Sequence, residues 1–158
     1  MWISSTAMVT SMRMRRRWGP EIVRQAGRVD AFCDFVGSGG TFRGCAEVLC
    51  ASNSAVRCCV VEPADAAVLA GGTVVRANHR IQGGGYSMRN LSFLEGFRID
   101  DYLQVKDEEA ISCARRLAAE EGIFAGFSSG ANVAAALQLL GGEARGQTVV
   151  TIACDSGL

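Results

Sequence analysis

Hydrophobic and polar positions along the chain fall into two kinds of segment. Continuous apolar runs occupy residues 29–36 and 56–61, and each is followed by glycine or by an acid and proline. Such runs are typical of parallel strands that are buried on both faces. Between them, residues 41–52 carry apolar side chains at helical spacing. Together the three segments predict a β-α-β unit.

The same alternation continues toward the end of the chain. Residues 102–105, 123–127 and 148–154 read as three further short strands. Helices are predicted at 108–121, with Asp107 as N-cap, and at 132–140. Outside this region, further helices are predicted at 19–27, which has proline near its start and glycine at its end, and at 66–70.

This order of elements predicts an α/β fold with a doubly wound, mostly parallel sheet, flanking helices and right-handed crossovers. Ligands of such sheets bind beyond the carboxyl ends of the strands. Two turns rich in glycine and serine, 37–41 and 128–130, follow predicted strands. We expect these two turns to meet in one pocket.

The first 18 residues differ from the rest of the chain. They contain four arginines, several serines, threonines and methionines, and no acid. We interpret residues 1–18 as an unmatched, disordered N-terminal segment and residues 19–158 as one α/β domain. A transit-peptide-like leader, which would be rich in arginine and serine, and a nucleic-acid-binding arm are alternatives for the first segment.

Charge and composition exclude several classes of partner. The 16 basic and 16 acidic residues cancel, so no broad positive field exists to bind nucleic acid. No apolar run approaches the roughly 20 residues that cross a bilayer, so no membrane association and a cytoplasmic location are expected. The seven cysteines lie in apolar runs or predicted helices, and the single histidine has no cysteine at zinc-ligand spacing. Reduced thiols and no metal are therefore expected.

The turn Gly-Ser-Gly-Gly-Thr between a strand and a helix indicates a phosphate site. Glycines let the backbone approach an anion, and the N–H groups of the helix start point toward it. Residues 40–42 read Gly-Thr-Phe, which lacks the lysine of a P-loop. A dinucleotide site remains an alternative, because Gly37 and Gly39 are followed by the acidic Glu62 at the end of the next strand. However, Phe42 stands where that motif has its third glycine.

Six motifs in this order resemble the second half of the cysteine synthase (O-acetylserine sulfhydrylase) family: GPEI, VGSGGTFRG, VVEPADAAVL, HRIQG, DEEAISCARRLAAEEGIFAGFSSGANVAAAL and DSG. The resemblance covers residues 19–158. It implies the large-domain part of the tryptophan synthase β-like fold of fold-type-II enzymes that depend on pyridoxal 5′-phosphate (PLP), a group that also includes cystathionine β-synthase. The implied reaction makes L-cysteine from O-acetylserine and sulfide by β-replacement. The implied partners are small molecules, an amino acid and sulfide.

The resemblance also implies roles for single residues. The turn that would bind the cofactor 5′-phosphate consists of Gly37, Ser38, Gly39, Gly40 and Thr41. Ser128 would hydrogen-bond the pyridine nitrogen, and Gly83 would lie on the substrate side of the ring. Because a hydroxyl cannot force full protonation of that nitrogen, the ring is a weaker electron sink, which favours β-elimination and β-replacement over transamination. Without the resemblance, Ser128 reads as a helix N-cap.

The family binds its cofactor as a Schiff base through a lysine of the N-terminal half. The sequence contains one lysine, Lys106, which directly precedes Asp107, and we interpret it as a solvated side chain at a helix end. We therefore expect a fragment that has no catalytic residue of its own and is inactive alone. It would form a homo-oligomer or act as a non-catalytic partner of a full-length relative.

Overall fold

The structure, a computed structural model, describes residues 5–158. From Ala31 onward, helices follow the first and third strands, and two consecutive helices precede the last strand. The helices are α1 (Ser5–Arg13), α2 (Gly19–Ala26), α3 (Gly40–Ser52), α4 (Asp107–Glu121) and α5 (Phe127–Gly141). The strands are β1 (Ala31–Phe35), β2 (Arg57–Pro63), β3 (Asp101–Val105) and β4 (Val149–Thr151). A π-helical turn at Met14–Trp18 joins α1 to α2, and a 3-10 turn at Ala64–Ala66 follows β2.

The four strands form one parallel sheet in the order β3-β2-β1-β4. The chain runs outward from β1 through β2 to β3 and then returns to the other side of β1 as β4. The strand order therefore reverses between β1 and β4, and such a switch point is where doubly wound sheets leave a crevice for ligands. The predicted doubly wound sheet with flanking helices is confirmed.

Alternate residues of β1 supply two hydrophobic layers, as the two-residue period of a strand requires. Cys33 and Phe35 pack in the layer beneath α4 and α5. Phe32 packs in the layer beneath α3, where its ring lies 5.7 Å from that of Phe42. Helices thus cover both faces of the sheet, which explains why its central strands read as continuous apolar runs.

The predicted strand at residues 123–127 does not form. The structure has only one isolated antiparallel bridge there, between Ala125 and Ser156, and α5 already begins at Phe127. Ile123 and Phe124 are 47% and 63% exposed, so this apolar run is not a buried strand. Short apolar runs of this length fit strand and helix start equally well.

Two other local predictions change for a visible reason. The helix predicted at 66–70 does not form. The backbone N–H groups of Leu69 and Ala70 instead donate to the carboxylate of Glu62, at 2.9 and 2.8 Å. Asp107 is the first helical residue of α4 rather than its N-cap. Its side chain instead accepts hydrogen bonds from Arg80 N and Arg76 Nη2, both at 3.0 Å.

The segment 1–18, for which the sequence predicts disorder, is helical from Ser5 to Trp18. Met14 packs against the hydrophobic layer beneath α3, and Arg15 forms an ion pair of 3.1 Å with Glu47. The segment thus covers a face of α3 that would otherwise be open to solvent. Residues 1–4 lie outside the described part of the chain. Within residues 5–158 no helix has both the length and the apolar character to span a bilayer.

Candidate functional site at the carboxyl ends of β1 and β4

A cavity of about 480 Å³ opens where β1 and β4 end. Its wall combines the turn after β1, the first turn of α5, the loop at 82–83 and the residues after β4. The structure brings together all the site residues that the sequence predicts: Gly37, Ser38, Gly39, Gly40, Thr41, Gly83 and Ser128. The expectation that the two glycine- and serine-rich turns meet in one pocket is therefore confirmed by the geometry.

The turn after β1 lines this cavity at the N-terminus of α3. Gly39 has φ 84° and ψ 0°, a left-handed conformation that glycine adopts without strain, and it is the N-cap of α3. The N–H of Gly40 points at the Ser38 hydroxyl, 3.4 Å away. The first N–H groups of a helix have no acceptor within the helix, and its N-terminus carries partial positive charge. This geometry suits a phosphate group.

The loop containing Gly83 packs directly over that turn. A Cβ atom added to Gly37 would lie 2.5 Å from the Gly83 carbonyl oxygen, so only glycine fits at residue 37. The N–H of Gly85 donates to Val36 O at 3.2 Å and holds the loop in place. Gly83 therefore lines the cavity next to the turn that contains Gly37.

The two adjacent serines at the start of α5 have different surroundings. The Ser129 hydroxyl donates to Asp155 Oδ1 at 2.5 Å and accepts from Cys154 N at 2.9 Å, so it is engaged within the protein. Ser128 lines the cavity, and its hydroxyl contacts the thiol of Cys154 at 3.1 Å. Of these two hydroxyls, that of Ser128 is the one placed to meet a ligand.

Asp155, from the segment after β4, caps α5 from outside the helix. Its carboxylate accepts hydrogen bonds from the backbone N–H groups of Ser128 and Ser129, at 3.3 and 3.1 Å. The N-cap position itself belongs to Gly126, so the N-cap interpretation of Ser128 is wrong. Burial acts to raise the pKa of Asp155, but the hydrogen bonds from Ser129 and Ser128 outweigh it and leave the pKa below its ordinary value.

Sequence reasoning missed a buried polar pair beneath the cavity. Asn132 is fully buried; its Oδ1 accepts from Phe35 N at 2.6 Å, and its Nδ2 donates to Ile152 O at 2.9 Å and to Asp34 Oδ1 at 3.1 Å. Burial raises the pKa of Asp34 to about 7, although the hydrogen bond from Asn132 opposes this. The sequence did contain a signal for this pair, because Asp34 lies inside an apolar strand and Asn132 lies on an apolar helix.

Lys106 lies away from this cavity. It is exposed at the start of α4, where its backbone N–H donates to Glu109 Oε2 at 2.8 Å. It does not contribute to the cavity wall. Across residues 5–158 the structure gathers no group of three or more histidine, cysteine or acidic side chains that could hold a metal ion.

The fold and the cavity define a doubly wound α/β domain with anion-binding geometry at its switch point. The sequence profile described as "Pyridoxal-phosphate dependent enzyme" matches residues 2–155, and the chain belongs to this family. The match begins within the segment 1–18, which the motifs alone leave unmatched.

The chain is similar to particular members of this family, among them a cysteine synthase. Cysteine synthase 3 of Caenorhabditis elegans is 41% identical over 138 residues, which are 86% of this chain and 40% of that protein. The crystal structure of O-acetylserine dependent cystathionine beta-synthase from Helicobacter pylori is 35% identical with a TM-score of 0.84, over 94% of this chain and 47% of that one. A hydrogen sulfide-producing enzyme from Fusobacterium nucleatum is 32% identical with a TM-score of 0.85, over 94% and 49%.

These similarities confirm the resemblance to cysteine synthase. The chain spans about 40% to 49% of the length of these three relatives. Their names differ in the substrate or product they mention, so the similarity supports the family more firmly than any single substrate.

Proposed function

We propose that this chain supplies the phosphate-binding and ring-nitrogen-binding side of a PLP-dependent, cysteine synthase-like active site. The substrates of that site would be O-acetylserine and sulfide. The observation that carries the proposal is that the Ser38 turn and Ser128 line one cavity of about 480 Å³. Pockets for small ligands and cofactors commonly have volumes of about 300–1,000 Å³.

The residues present fit the two ends of the cofactor. The N-terminus of α3 offers backbone donors and positive potential to a phosphate, and Gly39 lets the backbone turn there without a side chain in the way. Ser128 offers a neutral hydroxyl to a pyridine nitrogen. When bound, PLP supplies the electron sink for bond cleavage at the substrate α- and β-carbons.

The roles of the chain's own residues follow from this placement. Ser128 can hydrogen-bond a ring nitrogen without forcing a positive charge on it, which favours β-replacement chemistry. Asp155 cannot replace Ser128 in this role without giving up hydrogen bonds, since its oxygens accept from Ser128 N, Ser129 N and the Ser129 hydroxyl. Ser129 and Asp155 thus fix the turn from which Ser128 extends.

The 158 residues contain no lysine in the cavity wall. A Schiff-base lysine is activated by desolvation or by another positive charge beside it, whereas Lys106 is exposed next to the acidic residues Asp107 and Glu109. Under this proposal the chain alone binds the cofactor without covalent attachment and does not turn over substrate.

A dinucleotide is a poorer fit to the same geometry. The acid that would hold a ribose hydroxyl is Glu62, which is only 2% exposed. Both of its oxygens accept hydrogen bonds from backbone N–H groups, those of Leu69 and Ala70. Binding a ribose would require breaking these bonds, so the position of Glu62 favours PLP.

The test uses ligands that differ at one group. Pyridoxine 5′-phosphate has no aldehyde, so it cannot label Lys106 or the N-terminus, and its fluorescence reports binding. We expect saturable binding of pyridoxine 5′-phosphate, competition by PLP, at least about tenfold weaker binding of pyridoxine without phosphate, and no competition by NAD. Equal affinity with and without the phosphate, or tighter binding of NAD, would contradict the proposal.

A further inference from the structure

Cys154 and Ser128 form a hydrogen-bonded contact at the wall of the cavity. The sulfur lies 3.1 Å from the Ser128 hydroxyl oxygen, and both residues line the cavity. Cys154 is held there by its backbone, because its N–H donates to the Ser129 hydroxyl at 2.9 Å. The thiol is therefore a fixed neighbour of the proposed ring-nitrogen ligand.

The direction of this hydrogen bond decides what Ser128 can do. A serine hydroxyl has one proton and can accept as well as donate. If the hydroxyl donates to Cys154, its proton is used within the protein, and only an oxygen lone pair faces a ligand. If the thiol donates to Ser128 Oγ, the serine proton is free to donate into the cavity.

The surroundings of the sulfur favour the second direction. The other hydroxyl near the sulfur is that of Ser129, at 3.9 Å, and its oxygen already accepts from Cys154 N at 2.9 Å and Asp155 N at 3.4 Å. The Ser128 hydroxyl oxygen, at 3.1 Å, is therefore the nearer acceptor for the thiol proton. Burial raises the pKa of Cys154; the contact with Ser128 opposes this, and the negative charges of Asp34 and Asp155 add to it. The sulfur thus remains a protonated thiol that can donate to Ser128.

We propose that Cys154 is a positioning residue that directs the Ser128 hydroxyl proton into the cavity, toward the ring nitrogen of a bound pyridine cofactor. The donors then run in one direction, from the Cys154 thiol to the Ser128 hydroxyl and from that hydroxyl into the cavity. This inference rests on the proposed function. It assigns a role to a thiol that would otherwise be a passive part of the wall.

The experiment measures the ring nitrogen itself. The full chain is titrated with pyridoxine 5′-phosphate labelled with ¹⁵N in the ring, and binding affinity and the ¹⁵N chemical shift of the bound ligand are recorded. Cys154→Ala removes the donor, Cys154→Ser keeps a donor, and Cys50→Ala is the matched control. Cys50 is a half-buried thiol on α3 that contacts Cys58 at 3.7 Å and is not in the cavity wall.

We expect Cys154→Ala to weaken binding by about 2- to 10-fold, the range of a single neutral hydrogen bond. Its bound ¹⁵N shift should move toward the value of a pyridine that accepts no hydrogen bond. Cys154→Ser should restore both values to near those of the unmodified chain, and Cys50→Ala should leave them unchanged. In a Ser128→Ala background, Cys154→Ala should have no further effect on the ¹⁵N shift, since it acts through Ser128.

A second readout does not depend on the ring nitrogen. Cys154 is the one exposed cysteine among the described residues, so N-ethylmaleimide can reach its thiol. Bound pyridoxine 5′-phosphate should slow this reaction severalfold. An equal rate of labelling with and without the ligand would overturn the placement of Cys154 beside the ligand.

The outcomes separate the two proposals. If the unmodified chain does not bind pyridoxine 5′-phosphate, the proposed function fails and this inference fails with it. If the unmodified chain binds and Cys154→Ala has the same ¹⁵N shift, the proposed function stands and the role of Cys154 is overturned. A thermal melt of each variant shows that the compared proteins are folded.

Discussion

Asp155 fixes Ser129 at both its backbone and its side chain: Oδ1 accepts from the Ser129 N–H at 3.1 Å and from its hydroxyl at 2.5 Å. The two residues belong to different elements, the segment after β4 and the first turn of α5. This pairing orients the start of α5 and leaves the neighbouring Ser128 facing the cavity.

Replacing Asp155 should weaken the contact between the segment after β4 and the first turn of α5. Asp155→Asn removes the charge that the N–H groups of α5 favour, and we expect the free energy of unfolding at pH 7 to fall by about 1–2 kcal/mol. Because the folded-state pKa of Asp155 is lowered, its stabilising contribution is present above its ordinary pKa and is lost as the pH falls through the folded-state pKa. Denaturant unfolding at pH 7 and at about pH 3 measures both effects.

The matched control for Asp155 is Glu143→Gln. Glu143 pairs with Arg57 at 2.6 Å, but its side chain is 78% exposed, and such surface ion pairs contribute little. The same loss of stability in both variants would show that the Asp155 contacts have no special role.

Ser128 and Ser129 should differ sharply despite being neighbours. Ser128→Ala should weaken binding of pyridoxine 5′-phosphate with little change in stability, because its hydroxyl faces the cavity. Ser129→Ala should lower the free energy of unfolding by about 1–2 kcal/mol, because it removes a partner of Asp155 and Cys154. Calorimetric titration and thermal melts of both variants make the comparison. The reverse pattern would reassign the ligand contact to Ser129.

Gly39→Ala should impair both stability and binding. Its φ of 84° costs a residue with a side chain about 1–2 kcal/mol, and an added Cβ would also approach Leu94 to 3.1 Å. Gly122→Ala is a control with a similar backbone penalty, since Gly122 after α4 has φ 70° and ψ 15°, has open space around it and is not in the cavity wall. We expect both variants to lose stability and only Gly39→Ala to lose phosphate affinity beyond that. Equal affinities would show that this turn does not hold the phosphate.

Asp34 should make stability depend on pH in the direction opposite to Asp155. Its folded-state pKa is raised to about 7 from an ordinary value of 3.8, so between these values the folded state binds more protons than the unfolded state. The free energy of unfolding should therefore decrease as the pH rises from about 4 to about 7, by up to a few kcal/mol, and then stay level as far as Asp34 is concerned.

Asp34→Asn keeps an acceptor for Asn132 but cannot ionise. It should abolish this pH dependence and be more stable than the unmodified chain at pH 8. Denaturant unfolding at pH 5, 6, 7 and 8 tests this. A parallel pH profile in the two proteins would show that Asp34 does not titrate in this range.

The sheet and the cavity turns could be predicted because the signals lie in short stretches of sequence. The apolar runs of β1 and β2 and the turn around Gly39 each combine hydrophobicity with backbone chemistry that can be read locally. The strand predicted at 123–127 failed because Ile123 and Phe124 are apolar without being buried. The composition of an apolar run does not show whether the run is buried, as in β1, or exposed, as at residues 123–124.

The contacts that support the cavity could not be predicted in the same way. Asn132 reaches residues about 20 and 98 positions away, and Asp155 reaches α5 across 26 or more positions. Such pairs depend on how the sheet is assembled, and no spacing rule reports them. Disorder is predicted for residues 1–18 for the same reason: the sequence does not show that α3 provides a surface against which this segment packs.

The pairing of β1 with β4 has a consequence for how the cavity comes into being. The central strand β1 pairs with β4 at the edge of the sheet, yet Ala31 and Val149 are separated by most of the described chain. During synthesis on the ribosome, β1 would emerge long before its second partner, with one edge open. Because such distant pairings form slowly and expose strand edges meanwhile, ligand-binding competence should be the last property that a newly made chain acquires.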